Sequence, residues 1–300
     1  MSRAAIVLDA TVLSVFLSFF PILTGTAHAK TKESPAPNGT AARIELPVQL
    51  YRGYLVVVEG SIDGLEHQNL LVDTGTDPSM VNARIIHALG LATRPATLAV
   101  ANGAMQTDAA LLPDLQVGPV HAESLPVLVQ DFSTLEQELG VSIGAVIGMD
   151  VLGRTSFRLD YLAKRLVFGP IVPSGISLPL NASESFATVD LLVGGQNTHL
   201  LVDTGAAGLV FFESRMGKRL PLENHGAFRQ DASLAGKFKT RMVSPGELLL
   251  GGHRFHLEKA FLAEDHQDTD KSFDGLLGVG AMGFKSISFD FGMRRLYLQI

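Results

Sequence analysis

Leu70-Leu71-Val72-Asp73-Thr74-Gly75 and Leu200-Leu201-Val202-Asp203-Thr204-Gly205 are nearly one phrase written twice, 130 residues apart. The same offset relates Gly64 to Gly194, Val146-Ile147-Gly148 to Leu276-Leu277-Gly278, Asp160 to Asp290, and Lys164-Arg165-Leu166 to Arg294-Arg295-Leu296. Landmarks that stay in register over such a distance are the signature of a duplicated unit. Between the copies, residues 169–184 carry Pro170, Pro173, Gly175, Pro179 and three serines, the composition of a linker. The reading is therefore of two lobes, 44–168 and 185–300, each of ordinary domain size.

Within each lobe the apolar runs are short and rich in β-branched residues. Tyr54-Leu55-Val56-Val57-Val58 and Asn69-Leu70-Leu71-Val72 flank the turn signal Asp63-Gly64, which predicts a hairpin leading into the Asp-Thr-Gly loop. Phe157 to Asp160 and Arg165 to Phe168 predict a second hairpin, with Asp160 and its repeat Asp290 capping the turns rather than catalysing. Only Asn82 to Leu89 and Glu213 to Leu220 look helical. The expected fold class is all-β: two small, mostly antiparallel barrels, each with one short helix, and a site between them.

The chain of 300 residues has no cysteine and a formal net charge of -6. Disulfides, thiolate metal sites and cysteine nucleophiles are excluded, which leaves carboxylates, hydroxyls and histidines as the available chemistry. The mildly acidic balance argues against nucleic acid as the main partner. Residues 1–29 combine Arg3, an apolar run from Thr11 to Leu23, and Ala27-His28-Ala29 as a small-x-small cleavage pattern. They read as a signal peptide, with an uncleaved membrane anchor as the alternative, although the run is short for a membrane span. Residues 30–43, rich in Pro, Ser, Ala and Gly, read as a flexible leader. A periplasmic or secreted protein is expected, with no stable membrane insertion after cleavage.

The chemistry is expected at the repeated phrase. A strand that buries itself delivers its aspartate at its end, and the glycine permits a close approach that a side chain would block. A pseudo-twofold axis between the lobes brings the two loops together, so the carboxyls of Asp73 and Asp203 face each other. Two carboxyls in contact do not both ionise easily, so the pair holds one proton and is acid and base at once. The hydroxyls of Thr74 and Thr204 are placed to bridge to the opposite loop.

On these residues the chain resembles the retropepsin-like and pepsin-like aspartic peptidases, in particular the two-lobed secreted bacterial kind. The resemblance covers roughly residues 44–300. The family pattern is an apolar pair before Asp-Thr-Gly and a later apolar-apolar-Gly, met here by Val146-Ile147-Gly148 and Leu276-Leu277-Gly278. It implies an aspartic endopeptidase acting on peptide or protein through Asp73 and Asp203. Thr74, Gly75, Thr76, Thr204, Gly205, Gly148 and Gly278 would support the loops. No cofactor and no metal are implied, and fusion of the lobes implies a monomer, where retroviral relatives assemble the site from two chains. The chain also departs from the family. Thr76 follows the first Asp-Thr-Gly as the pepsin pattern requires, but Ala206 follows the second and has no hydroxyl. No tyrosine lies where a flap tyrosine is usual. The flap candidates are residues 97–107, around Asn102-Gly103, and 231–241, around Ala235-Gly236. Asp77 stands where retroviral relatives hold the substrate backbone, and with Asn102 and Gly103 it is a candidate substrate contact; lobe two has Ala207 instead.

Other signals are set aside. Gly278-Val279-Gly280-Ala281-Met282-Gly283 spells a dinucleotide fingerprint, but no βαβ unit can follow it. His253 and His256 sit three apart on a strand and make a poor metal pair. Met282 and Met293 are expected in the core. Two rival functions remain: a non-catalytic periplasmic peptide-binding or scaffold protein, and a glycosidase, whose paired carboxyls stand about 5 Å or more apart. Mass spectrometry of exported protein should find the chain beginning near Lys30; retention of residues 1–29 would establish the anchor instead.

Overall fold

The computed structural model describes residues 43–100, 103–182, 186–220, 223–224, 227–233, 236–265 and 273–300. The segments read as signal peptide and leader fall outside these residues, apart from Arg43. Among the described residues no helix is long and apolar enough to cross a membrane, and no cluster of three or more metal-ligating side chains occurs.

The molecule is mostly β, with two duplicated lobes. In lobe one the strands Leu55–Ile62 and Leu65–Val72 form the expected hairpin, with Asp63 and Gly64 both at positive φ in its turn. Leu65–Val72 then runs parallel to Ala145–Ile147, which on its other side pairs antiparallel with Met80–Asn82. Lobe two repeats this unit. Gln196–Val202 runs parallel to Gly275–Leu277, itself antiparallel to Leu209–Phe212. These strands are buried on both faces, from Leu70, Leu71 and Val72 to Leu200, Leu201 and Val202. That accounts for unbroken apolar runs where a one-sided sheet would alternate.

The lobes are joined by a six-stranded sheet. Its order is Ile176–Pro179, Arg295–Gln299, Ser286–Asp290, Phe157–Asp160, Arg165–Phe168 and Ile44–Tyr51. The central antiparallel pair aligns Phe157 with Phe289 and Asp160 with Ser286, so repeat-related strands meet at the pseudo-twofold axis. The rings of Phe157 and Phe289 stack at 4.7 Å between centroids, and Phe168 and Phe291 close the cluster at 6.4 Å and 6.1 Å from Phe157. Both hairpin turns are capped as expected: Ala163 N–H donates to Asp160 Oδ1 at 2.8 Å, and Met293 N–H to Asp290 Oδ1 at 3.0 Å.

Several expectations need correction. The stretch 169–184 is not only a connector, because Ile176–Pro179 is an edge strand paired with Arg295–Gln299. Ile176 and Leu178 point inward, an alternation that the surrounding prolines and serine obscured. Among its described residues lobe one holds three helical segments, Ala83–Ala88, Ser133–Leu139 and Met149–Leu152. Ser133–Leu139 buries only Leu135, so it shows no periodicity; it is defined by Asp131 accepting from Ser133 N–H at 2.9 Å and by Gly140 in the left-handed region. Among the described residues of lobe two the helix is the single turn Glu213–Met216, closed by Gly217. Met282 is buried, but Met293 is 71% exposed, because it rides the tip of the turn that Asp290 caps.

Phe157 is fully buried at the seam between the lobes, so Phe157→Ala should cost about 3–5 kcal/mol of unfolding free energy. Urea denaturation of the purified variant measures this, and a loss under about 1 kcal/mol would show that the seam relaxes around the cavity.

Candidate active site

Each aspartate emerges from the same local device. Asp73 N–H donates to Ile147 O at 3.0 Å, and Asp203 N–H to Leu277 O at 3.1 Å, so each loop begins where its strand leaves the neighbouring apolar-apolar-Gly segment. Gly148 N–H donates to Ser79 Oγ at 2.8 Å and Gly278 N–H to Gly208 O at 2.9 Å, which fixes the second half of the motif beneath each loop.

The loops are then tied to each other across the axis. Thr74 Oγ1 donates to Val202 O at 2.7 Å and accepts from Thr204 N–H at 3.1 Å. Thr204 Oγ1 reciprocates, donating to Val72 O at 3.1 Å and accepting from Thr74 N–H at 3.1 Å. Both threonines are fully buried. The two glycines explain how close the loops come. A Cβ built on Gly75 would lie 2.5–2.8 Å from the Asp203 carboxyl atoms, and one on Gly205 would lie 2.9–3.0 Å from those of Asp73. Any side chain at either position pushes the opposite carboxyl away.

Asp73 and Asp203 are thus brought face to face at the loop junction, both fully buried. Their surroundings differ. Asp73 Oδ1 accepts from Gly75 N–H at 2.9 Å and Asp73 Oδ2 from Thr76 Oγ1 at 2.9 Å. Asp203 Oδ1 accepts from Gly205 N–H at 2.7 Å, but Asp203 Oδ2 is buried with no protein donor. Ala206, the counterpart of Thr76, has no hydroxyl to offer it, although its backbone N–H also acts on the Asp203 carboxyl. Burial raises the pKa of both carboxyls. Hydrogen bonds hold Asp73 back, whereas the charge of Asp73 adds to the burial of Asp203 and lifts it well above the usual carboxylate range. Two carboxyls buried this close do not ionise together easily, and these surroundings disfavour the charged form of Asp203 more than that of Asp73.

The remaining candidates are distributed around this centre. Asp77 is half-buried just beyond Thr76, while Ala207 is buried. The lobe-one flap candidate is a hairpin, Thr93–Val100 against Gly103–Val117, with Val100 opposite Gly103. Gly103 opens its second strand, and Asn102 lies outside the described residues. Ala96 and Met105 of this hairpin pack against an apolar cluster holding Tyr54, Leu71, Met80 and Val146 together with Ala207 of lobe two. The hairpin therefore stands beside the junction of the lobes. The lobe-two candidate is the hairpin Arg229–Ser233 against Gly236–Ser244; Ala235 lies outside the described residues.

Sequence reasoning missed four residues here. Ser79 donates through Oγ and N–H to the Asp150 carboxylate at 2.6 Å and 2.9 Å, beneath the first loop. Nothing marked Asp150 except its place two residues after Gly148. Tyr54 and Tyr161 both sit buried within electrostatic reach of Asp203, although neither belongs to a flap.

A model of the aspartyl protease family matches residues 58–151 and again 189–281, one match per lobe. The chain belongs to the aspartyl protease family. No curated protein matches it. Among solved structures this member of the family is similar to basic 7S globulin from soybean, with 14% identity and a TM-score of 0.43 over 86% of this chain and 94% of that one.

The unequal carboxyls give a direct test. In Ala206→Ser the new hydroxyl should donate to Asp203 Oδ2, favour its ionised form and move its titration midpoint to lower pH. Carboxyl carbon NMR with a structure of the variant checks this; a serine seen on Asp203 with an unchanged or raised midpoint would overturn the account of the asymmetry.

Proposed function

We propose that the chain is an aspartic endopeptidase that hydrolyses peptide bonds with a water activated by the Asp73/Asp203 pair. The observation that carries this reading is the buried, facing pair of carboxyls in which Asp73 has a donor on each oxygen and Asp203 on one alone. Asp73, with both oxygens hydrogen-bonded, is the ionised member and takes a proton from the attacking water. Asp203 carries the shared proton and gives it to the carbonyl oxygen as the water oxygen bonds to the carbonyl carbon. The resulting diol then collapses: its C–N bond breaks, the leaving nitrogen takes the proton held by Asp73, and a hydroxyl proton returns to Asp203. The products are an acid and an amine, and the pair is back where it started. Loops that leave no room for a Cβ at Gly75 or Gly205 favour a close carboxyl pair over the separation of about 5 Å or more that glycosidases use, and so peptide hydrolysis over sugar chemistry.

Reciprocal threonine bonds and glycine-only loops support the same reading, since they hold the acid and the base at fixed separation before substrate arrives. The substrate is a peptide or protein segment, and residues 1–29 make export to a periplasmic or extracellular compartment the matching location. A single chain with both half-sites works as a monomer.

Asp73→Asn and Asp203→Asn, taken separately, should each lower kcat/KM on a denatured protein substrate by about a thousandfold or more while circular dichroism stays unchanged. Near-normal turnover in either variant refutes the shared-proton pair. A wild-type chain that binds peptide but never cleaves it establishes the scaffold reading instead.

A further inference from the structure

The two lobes do not brace their aspartates in the same way. Beneath the first loop, Asp150 accepts from Ser79 N–H and Oγ, and Ser79 Oγ accepts in turn from Gly148 N–H, a closed polar buttress under Ile147 and Gly148. In the repeat, the place of Ser79 is taken by Leu209 and that of Asp150 by Gly280, so lobe two cannot build this buttress. Its loop is filled from the other side. Tyr161 is the first residue past the central strand Phe157–Asp160, and its N–H donates to Lys285 O of lobe two at 2.8 Å. Its phenol reaches to within 2.8 Å of where a Gly280 Cβ would sit, measured at both Cζ and the hydroxyl oxygen. The residue is 9% exposed, and its hydroxyl is buried without a protein partner.

Gly280 follows Gly278 by two residues, and Leu277 O just before it accepts the Asp203 N–H. We propose that Tyr161 is a positioning residue for Asp203: a lobe-one phenol stands in for the missing carboxylate buttress and holds the Leu277–Gly280 segment on which the second aspartate hangs. The inference rests on the reading of Asp73 and Asp203 as a catalytic pair. Burial first, and the Asp203 charge after it, push the Tyr161 phenol up, so it remains protonated. The titratable groups facing Asp203 are the Asp73 carboxyl from the opposite loop and the phenols of Tyr54 and Tyr161. Removing the Tyr161 ring opens a path for water and should relieve the burial that holds Asp203 protonated.

The test is made on the whole chain with two readouts, the Asp203 midpoint by carboxyl carbon NMR and steady-state kinetics. Tyr161→Ala should lower the Asp203 midpoint by about one pH unit and kcat by about tenfold to a hundredfold, with KM changed less than about threefold. Tyr161→Phe, which keeps the ring, should match wild type in both. Gly280→Ala drives a Cβ into the phenol and should shift both readouts on its own; combined with Tyr161→Ala it should add nothing further. A folded Tyr161→Ala with the wild-type midpoint overturns the proposal, and so does a Gly280→Ala effect that persists undiminished without the tyrosine. If Tyr161→Phe is as damaging as Tyr161→Ala, the hydroxyl rather than the packing acts, and the proposal fails in that form. Should Tyr161→Ala not fold, the Gly280→Ala arm still decides: an unchanged Asp203 midpoint there overturns the inference. The NMR readout does not depend on turnover, so a chain that cleaves nothing would sink the catalytic reading while leaving the positioning of Asp203 measurable.

Discussion

Two carboxyls buried side by side repel, and everything around Asp73 and Asp203 is arranged to keep them together. Left to relax, such a pair separates or admits water. The reciprocal bonds of Thr74 and Thr204 prevent this by making each loop's backbone the partner of the other's side chain. Gly75 and Gly205 remove the only atoms that would keep the carboxyls apart. The apolar strands behind the loops anchor both ends, so strain at the centre cannot be released by shifting either strand without exposing fully buried leucines and valines.

Duplication supplies the twofold geometry, but the chemistry depends on where the copies have ceased to match. Thr76 gives one carboxyl a hydroxyl donor that Ala206 cannot give the other, which makes the two aspartates unequal. Asp150 and Gly280 differ in the same spirit: one lobe braces itself with a polar network, the other borrows a phenol across the seam. A perfectly symmetric site would place its proton on either aspartate with equal ease and would need substrate to choose.

How much of this the sequence showed depends on the range of each interaction. The repeat, the strand-loop-strand device and the pairing of the aspartates were legible because their signals are local and occur twice. The threonine bridges followed from the same twofold argument. Ser133–Leu139 escaped notice because two helical turns with one buried side chain carry no period. Ile176–Pro179 was hidden by a proline-rich setting whose alternation has meaning only beside Arg295–Gln299. Ser79, Asp150 and Tyr161 were not legible as parts of the site, since their roles arise where one segment meets another far along the chain. Met293 was misjudged for the opposite reason: its apolar character is real, but a capped turn lifts it clear of any core.

The central pairing of Phe157–Asp160 with Ser286–Asp290 has one more consequence. Each strand is the natural partner of its own repeat, so a half-chain expressed alone would present an unpaired, largely apolar edge suited to a second copy of itself. Joining the halves turns that encounter into an intramolecular event, governed by tether length rather than by protein concentration. Assembly of the site then survives dilution. Each half is also free to accumulate changes that its twin does not share.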